Sequence, residues 1–138
     1  MMGKSEFNKQ RTKTDIIFSR YIRLLAADEY GYVKCVTCGK IGHWENDYMY
    51  CGHYIPRVKM ATRFDELNCH VQCFSCNNVK RGNIQEYTKY MNEKYGIGKV
   101  EMLKKKAKGG CVLKIHDMRL IEQNYKEKVK ILRLERGL

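Results

Sequence analysis

The chain has 138 residues, 43% of them hydrophobic and one of them proline, which suits one domain with its own core and leaves no Pro-rich linker. No apolar run reaches 18 residues, and residues 1–14 lack an apolar signal core, so the chain is expected inside the cell and not in a membrane. Lys plus Arg number 27 against 15 Asp plus Glu, a formal +12 that points to a polyanionic partner, nucleic acid above all.

Residues 1–13 are polar and basic, with Lys4, Lys9, Arg11 and Lys13, and read as a disordered segment, either a DNA-contacting arm or a frayed terminus. Thr14 or Asp15 can cap a helix to about residue 28 within a unit 14–30, with Ile17, Tyr21, Leu24 and Leu25 at helical spacing and Gly31 ending it. The central unit is expected over 31–96. Tyr32 to Cys35 reads as a short strand feeding Cys35-Val36-Thr37-Cys38. Residues 40–56 read as extended up to Pro56, with Met49, Cys51, His53 and Ile55 on one face. A basic loop follows, carrying Arg57, Lys59 and Arg63. The strand expected at 67–72 puts Asn68, His70 and Gln72 on one face, Cys69 and Val71 on the other. A helix is predicted from about Cys73 through Lys80, broken by Gly82. Asn83 then caps an amphipathic helix to about Tyr95, with Ile84, Tyr87, Tyr90 and Met91 along one side. Residues 97–138 read as a basic helical region, with Lys104-Lys105-Lys106, Lys108, a Gly109-Gly110 turn and a helix over about 114–136. Its stripe of Ile121, Tyr125, Val129 and Leu132 must pack on the domain or on a second copy. The expected class is α+β, a small core with helices at both ends.

Seven cysteines in a reducing compartment call for something other than disulfides. Cys35-x-x-Cys38 and Cys73-x-x-Cys76, with residues 39–72 between them, have the spacing of one tetrahedral four-cysteine zinc site. Such a site is closed to water and substrate, so zinc is a staple here and not the catalyst. Cys69 and Cys111 read as small hydrophobes, and Cys51 either packs or acts near His53. His43 and His116 read as bland. Tyr54, Tyr87 and Tyr90 read as core or helix-face residues.

The sharper candidate is His53, between the two pairs. Asn68 and His70 stand in the next strand, and the second cysteine pair runs straight into Asn77. Strand, strand and helix would gather His53, Asn68 and Asn77 around one cleft. Arg57, Lys59, Arg63, Lys80 and Arg81 flank it as candidate phosphate contacts.

This constellation resembles the HNH, or ββα-metal, endonucleases. The resemblance implies His53 as the general base that takes a proton from the attacking water. It implies Asn77 as the helix-borne ligand of one divalent ion, Mg2+ or Mn2+, and Asn68 as the residue that holds the loop and orients the histidine. Endonuclease VII-type Holliday-junction resolvases are similar in placing two Cys-x-x-Cys pairs around the histidine. The phage NinG, or Rap, recombination family is closer. Gly52-His53-Tyr54, Arg63-Phe64, Asn68-Cys69-His70-Val71-Gln72-Cys73, Cys76-Asn77 and Gly82-Asn83-Ile84 all resemble it, over roughly residues 33–95. It implies a structure-specific endonuclease on branched recombination intermediates, working in the cytoplasm of a phage-infected bacterium. Endonuclease VII-type enzymes carry an acidic metal ligand just before the histidine, where this chain has Gly52. His70 is one replacement; Asp47, Glu45 or Asp65 from a loop is another; substrate phosphate and water are a third.

Two functions of different class follow. One is a metal-dependent endonuclease with His53 as base, cutting four-way junctions as a homodimer through the C-terminal helix. The other is a zinc-stapled DNA-binding recombination accessory protein without catalysis, which Gly52 favours. An RNA-binding zinc protein fits the charge but leaves His53, Asn68 and Asn77 unexplained.

Overall fold

The first helix owes its length to polar side chains that find partners. In the computed structural model, which describes residues 2–46 and 48–138 and side chains from residue 5 onward, α1 spans Met2–Ala26. The expected arm over 1–13 is therefore, from residue 2, the first half of this helix. Thr14 is no cap: it is fully buried, and its hydroxyl donates to the Gln10 carbonyl one turn back and packs 3.2 Å from the Met118 carbonyl. Gln10 reaches the Glu122 carboxylate at 2.9 Å.

Two antiparallel hairpins follow. β1 (Tyr32–Lys34) pairs with β2 (Ile41–His43), and the first cysteine pair sits in the turn that joins them. β3 (Met49–His53) pairs with β4 (Cys69–Cys73), with His53 opposite Cys69 and Gly52 opposite His70. The intervening loop holds the short helix α2 (Met60–Arg63) and one tight turn of 3-10 helix, Glu66–Asn68. After β4 the predicted helix is only a five-residue, wide-turned π segment, Ser75–Val79. Then come α3 (Ile84–Tyr95), α4 (Ile97–Lys108) and α5 (Ile115–Arg136). The class is α+β, as expected.

The β3–β4 hairpin is covered on both faces. Directly opposed residues of an antiparallel pair share a face. Cys51, His53, Cys69 and Val71 therefore face α1, where Phe18 and Ile22 join Cys69 and Tyr125 in one apolar cluster. The other face carries Gly52, His70 and Gln72, and there Tyr54, Tyr87, Met91, Val100 and Leu103 form a second cluster under α3 and α4. Helix α4 was legible only as a basic stretch; Val100, Leu103 and Ala107 at spacings of three and four bury its inner side.

The stripe on α5 packs within the chain. Tyr125 meets Phe18 edge to face at 4.9 Å, Val129 lies in the core beside Leu24, and Ile121 and Leu132 pack at the edges of the same clusters. Of the two packings expected for this stripe, on the domain or on a second copy, the structure shows the one on the domain. No helix among the described residues is long and apolar enough to cross a membrane.

Candidate active site and metal centre

The four sulfurs of Cys35, Cys38, Cys73 and Cys76 lie within 4.8 Å of one another, with Cys38 and Cys73 at 3.6 Å. The β1–β2 turn supplies two of them, and the end of β4 with the Ser75–Val79 segment supplies the others. These thiols could hold a structural metal ion such as zinc, which would tie the two hairpins together. Their surroundings differ: burial and the neighbouring Cys35, Cys73 and Cys76 sulfurs push the Cys38 thiol up to about 12. Burial pushes the Cys35 thiol up, but the Thr37 hydroxyl at 3.3 Å and backbone N–H groups outweigh it and bring it to about 6. Asn83, expected to cap α3, sits at φ 47° and turns its amide to the Cys76 sulfur at 3.5 Å instead.

His53 ends β3. Its Nε2 lies 2.8 Å from the backbone carbonyl of Arg63. A carbonyl only accepts, so Nε2 carries the proton and the lone pair of the neutral ring stays on Nδ1. Burial lowers the His53 pKa from its ordinary value, opposed by the hydrogen bond to the Arg63 carbonyl, with Arg57 lowering it further. The ring is thus neutral at pH 7.

Asn68 is fully buried. Its amide donates to the carbonyls of Ile55 and Thr62 at 2.9 and 3.1 Å and accepts from the Ile55 N–H at 2.8 Å. It closes the loop between β3 and α2 into one shape, so it can act on chemistry only through that loop. Arg63 lies in the same loop and is buried too. Its guanidinium binds both oxygens of Asp15 and the Arg57 carbonyl. The expected phosphate contact at Arg63 is therefore corrected: its charge is spent inside the protein.

A cleft of about 610 Å³ opens where these parts meet. Its walls include Asp15 of α1, Cys51 and His53 of β3, Arg57, Asn77 of the π segment and Arg81. Strand, strand and helical segment thus bring His53 and Asn77 to one cavity. Arg57 and Arg81 are exposed on its walls, while Lys59 and Lys80 are exposed beyond it.

His70 does not join them. Its Nδ1 meets the Tyr87 hydroxyl at 3.0 Å and its Nε2 the Tyr95 hydroxyl at 2.6 Å. Tyr87 spends its own proton on the Gly52 carbonyl at 2.7 Å, so His70 donates from Nδ1 and accepts at Nε2. Burial pushes the His70 pKa down to about 4. His70 is a neutral core histidine on the far side of the sheet, and its expected role as ligand beside Asn77 is corrected.

The acid in the cleft is Asp15, which sequence reasoning took for a helix cap. Glu45 pairs with Arg20 at 3.4 Å, and Asp65 pairs with Lys106 at 2.6 Å and caps the Leu67 N–H at 3.0 Å; neither lines the cleft. Asp47 lies outside the described residues. Gly52 has no room for an acid. A Cβ there would stand 2.0 Å from Oε1 of Gln72, a fully buried side chain held by Thr37 and the Gly82 carbonyl.

Residues 2–135 match the family described as Bacteriophage Lambda NinG protein. Curated relatives include the protein ninG of Salmonella phage P22, 33% identical over 106 residues that make up 76% of this chain and 50% of that protein. The protein ninG of Escherichia phage 933W is 31% identical over 76% of this chain and 51% of its own length. That of Escherichia phage lambda is 30% identical over 76% and 50%. The chain therefore spans about half the length of the curated relatives it matches. No solved structure matches it.

Proposed function

This chain belongs to the bacteriophage NinG family, and we propose that it is a metal-dependent DNA endonuclease of the HNH type, acting on branched recombination intermediates such as four-way junctions. The observation that carries this reading is His53: neutral, its Nε2–H fixed on the Arg63 carbonyl, and on the wall of one cleft with Asn77, Arg57 and Arg81. A ring held that way offers Nδ1 to a water molecule and takes its proton as that water attacks a phosphodiester. Arg57 and Arg81 bind the phosphates on either side of the scissile one, and the formal +12 draws the polyanion in. Asn68, through the loop it closes, keeps the Arg63 carbonyl where His53 needs it.

The oxygen donors lining this cleft include the Asn77 amide and the Asp15 carboxylate, the latter already shared with Arg63. They fit Mg2+ or Mn2+ only with substrate phosphate and water completing the shell, as magnesium commonly accepts. When bound, such an ion would stabilise the charge that builds on the phosphate oxygens. Symmetric cutting of a junction needs two such clefts, hence two copies of the chain. The setting is the cytoplasm of the infected bacterium.

One observation favours the second reading, a DNA-binding recombination accessory protein without catalysis: the carboxylate in the cleft is already paired, and Gly52 supplies none. A labelled four-way junction incubated with the protein and Mg2+ or Mn2+ separates them. Cleavage products support the nuclease; tight binding with no product in either ion supports the accessory role.

A further inference from the structure

On the face of β3–β4 toward α1, Cys51, His53 and Cys69 bring one ligand atom each to within 4.8 Å of the other two. The hairpin register puts them on one face: Cys51 and His53 are two apart on β3, and Cys69 stands directly opposite His53. We propose that these three residues form a second metal site, separate from the four-cysteine centre, that takes zinc or a similarly soft divalent ion.

The donor chemistry selects the ion. Two sulfurs and an imidazole suit zinc, cobalt or cadmium, whereas magnesium prefers oxygen. Tetrahedral zinc with bonds of about 2.3 Å to sulfur and 2.0 Å to nitrogen needs its donors within about 4 Å of each other, so the three close in only slightly. The His53 ring is set for it. Nε2–H on the Arg63 carbonyl fixes the ring and leaves Nδ1 to coordinate, the carbonyl-supported arrangement typical of metal-bound histidine. On binding, Cys51 and Cys69 release their thiol protons to water. The fourth position opens on the cleft, since Cys51 and His53 line it while Cys69 lies beneath. Three protein ligands with one open position is the pattern of an accessible site rather than a staple.

Occupancy has a consequence that rests on the nuclease reading: an ion on Nδ1 removes the lone pair that would take a proton from water. A soft metal at this site holds the base off, while Mg2+ leaves it free.

The test uses the full chain with zinc already in its four-cysteine centre. Titration with Co2+ should give sulfur-to-cobalt charge-transfer and tetrahedral d–d absorption that saturates at about one cobalt per chain, with the original zinc retained by elemental analysis. Cys51→Ala should lose this absorption and keep its zinc; Cys69→Val should do the same, and Cys111→Ser should bind like wild type. Absence of a second metal in wild type, or its persistence in both Cys51→Ala and Cys69→Val, overturns the site. In a cleavage assay with Mg2+, added Zn2+ should inhibit wild type and spare Cys51→Ala. Cobalt binding as described with cleavage indifferent to zinc would keep the site and count against His53 as base.

Discussion

His53 Nε2 lies 2.8 Å from the carbonyl oxygen of Arg63, and the same Arg63 grips Asp15 of α1 through its Nε and Nη2. One residue thus sets the tautomer of the candidate base with its backbone and ties the loop to the first helix with its side chain. The pair is largely buried, with side-chain exposures of 9% for Arg63 and 19% for Asp15. Removing one partner leaves a charge in a site that cannot solvate it well, at a cost of about 3 kcal/mol. Asp15→Asn is expected to lower stability by roughly that amount in urea unfolding, with an unchanged m-value. A loss below about 0.5 kcal/mol would show that the pair behaves as a surface contact.

Gly52 and Gln72 are coupled by space. A Cβ at position 52 meets three atoms of the Gln72 side chain, the farthest at 2.7 Å, and Gln72 is held by two hydrogen bonds. Gly52→Ala should destabilise by about 1–3 kcal/mol as overpacking. In a Gln72→Ala background the same change should cost far less, a non-additivity that a double-mutant cycle in thermal or urea unfolding reads directly. Equal costs in both backgrounds would mean that the clash is not what excludes a side chain.

Acid should switch the chemistry off later than an ordinary histidine would. Burial holds the His53 pKa below 6.5, and the base works only as the neutral ring. At any pH its neutral fraction therefore exceeds that of an ordinary histidine, and it falls as pH drops through the lowered value. The acid limb of the single-turnover cleavage rate should be centred below pH 6.5. Arg57 contributes to the lowering, so Arg57→Gln should move the acid limb to higher pH. An acid limb centred above pH 7 in wild type would contradict a buried, neutral His53.

The proposed phosphate contacts divide between the arginines. Arg57 and Arg81 line the cleft, whereas the Arg63 charge is neutralised by Asp15. Arg81→Gln should weaken junction binding across sequences and reduce the slope of log affinity against log salt by about 1. Arg63→Gln should unsettle the fold and not that slope. Fluorescence anisotropy from 50 to 200 mM salt measures both, and equal slopes for Arg81→Gln and wild type would remove Arg81 from the interface.

The four-cysteine cluster, the strand bearing His53 and the amphipathic helix near Tyr95 were legible because each is written in local spacing. The N-terminal half of α1 was not. Gln10 and Thr14 are polar, and only their partners on α5, more than 100 residues away, make them buried helix residues. Asp15 was missed for the same reason, since its partner Arg63 is 48 residues off. His70 was misassigned by pleat parity: once His53 pairs with Cys69, His70 must face the opposite side. The helix predicted after β4 is instead a five-residue π segment that carries Cys76, one of the four clustered sulfurs.

The most direct measurement is cleavage of a labelled four-way junction in Mg2+ or Mn2+ by wild type and His53→Ala, with junction binding and thermal unfolding followed on the same preparations. The account predicts cleavage by wild type, a loss of about 10²–10⁴-fold in the variant, and binding and fold retained. Undiminished cleavage by His53→Ala, or no cleavage by wild type in either ion, would contradict it.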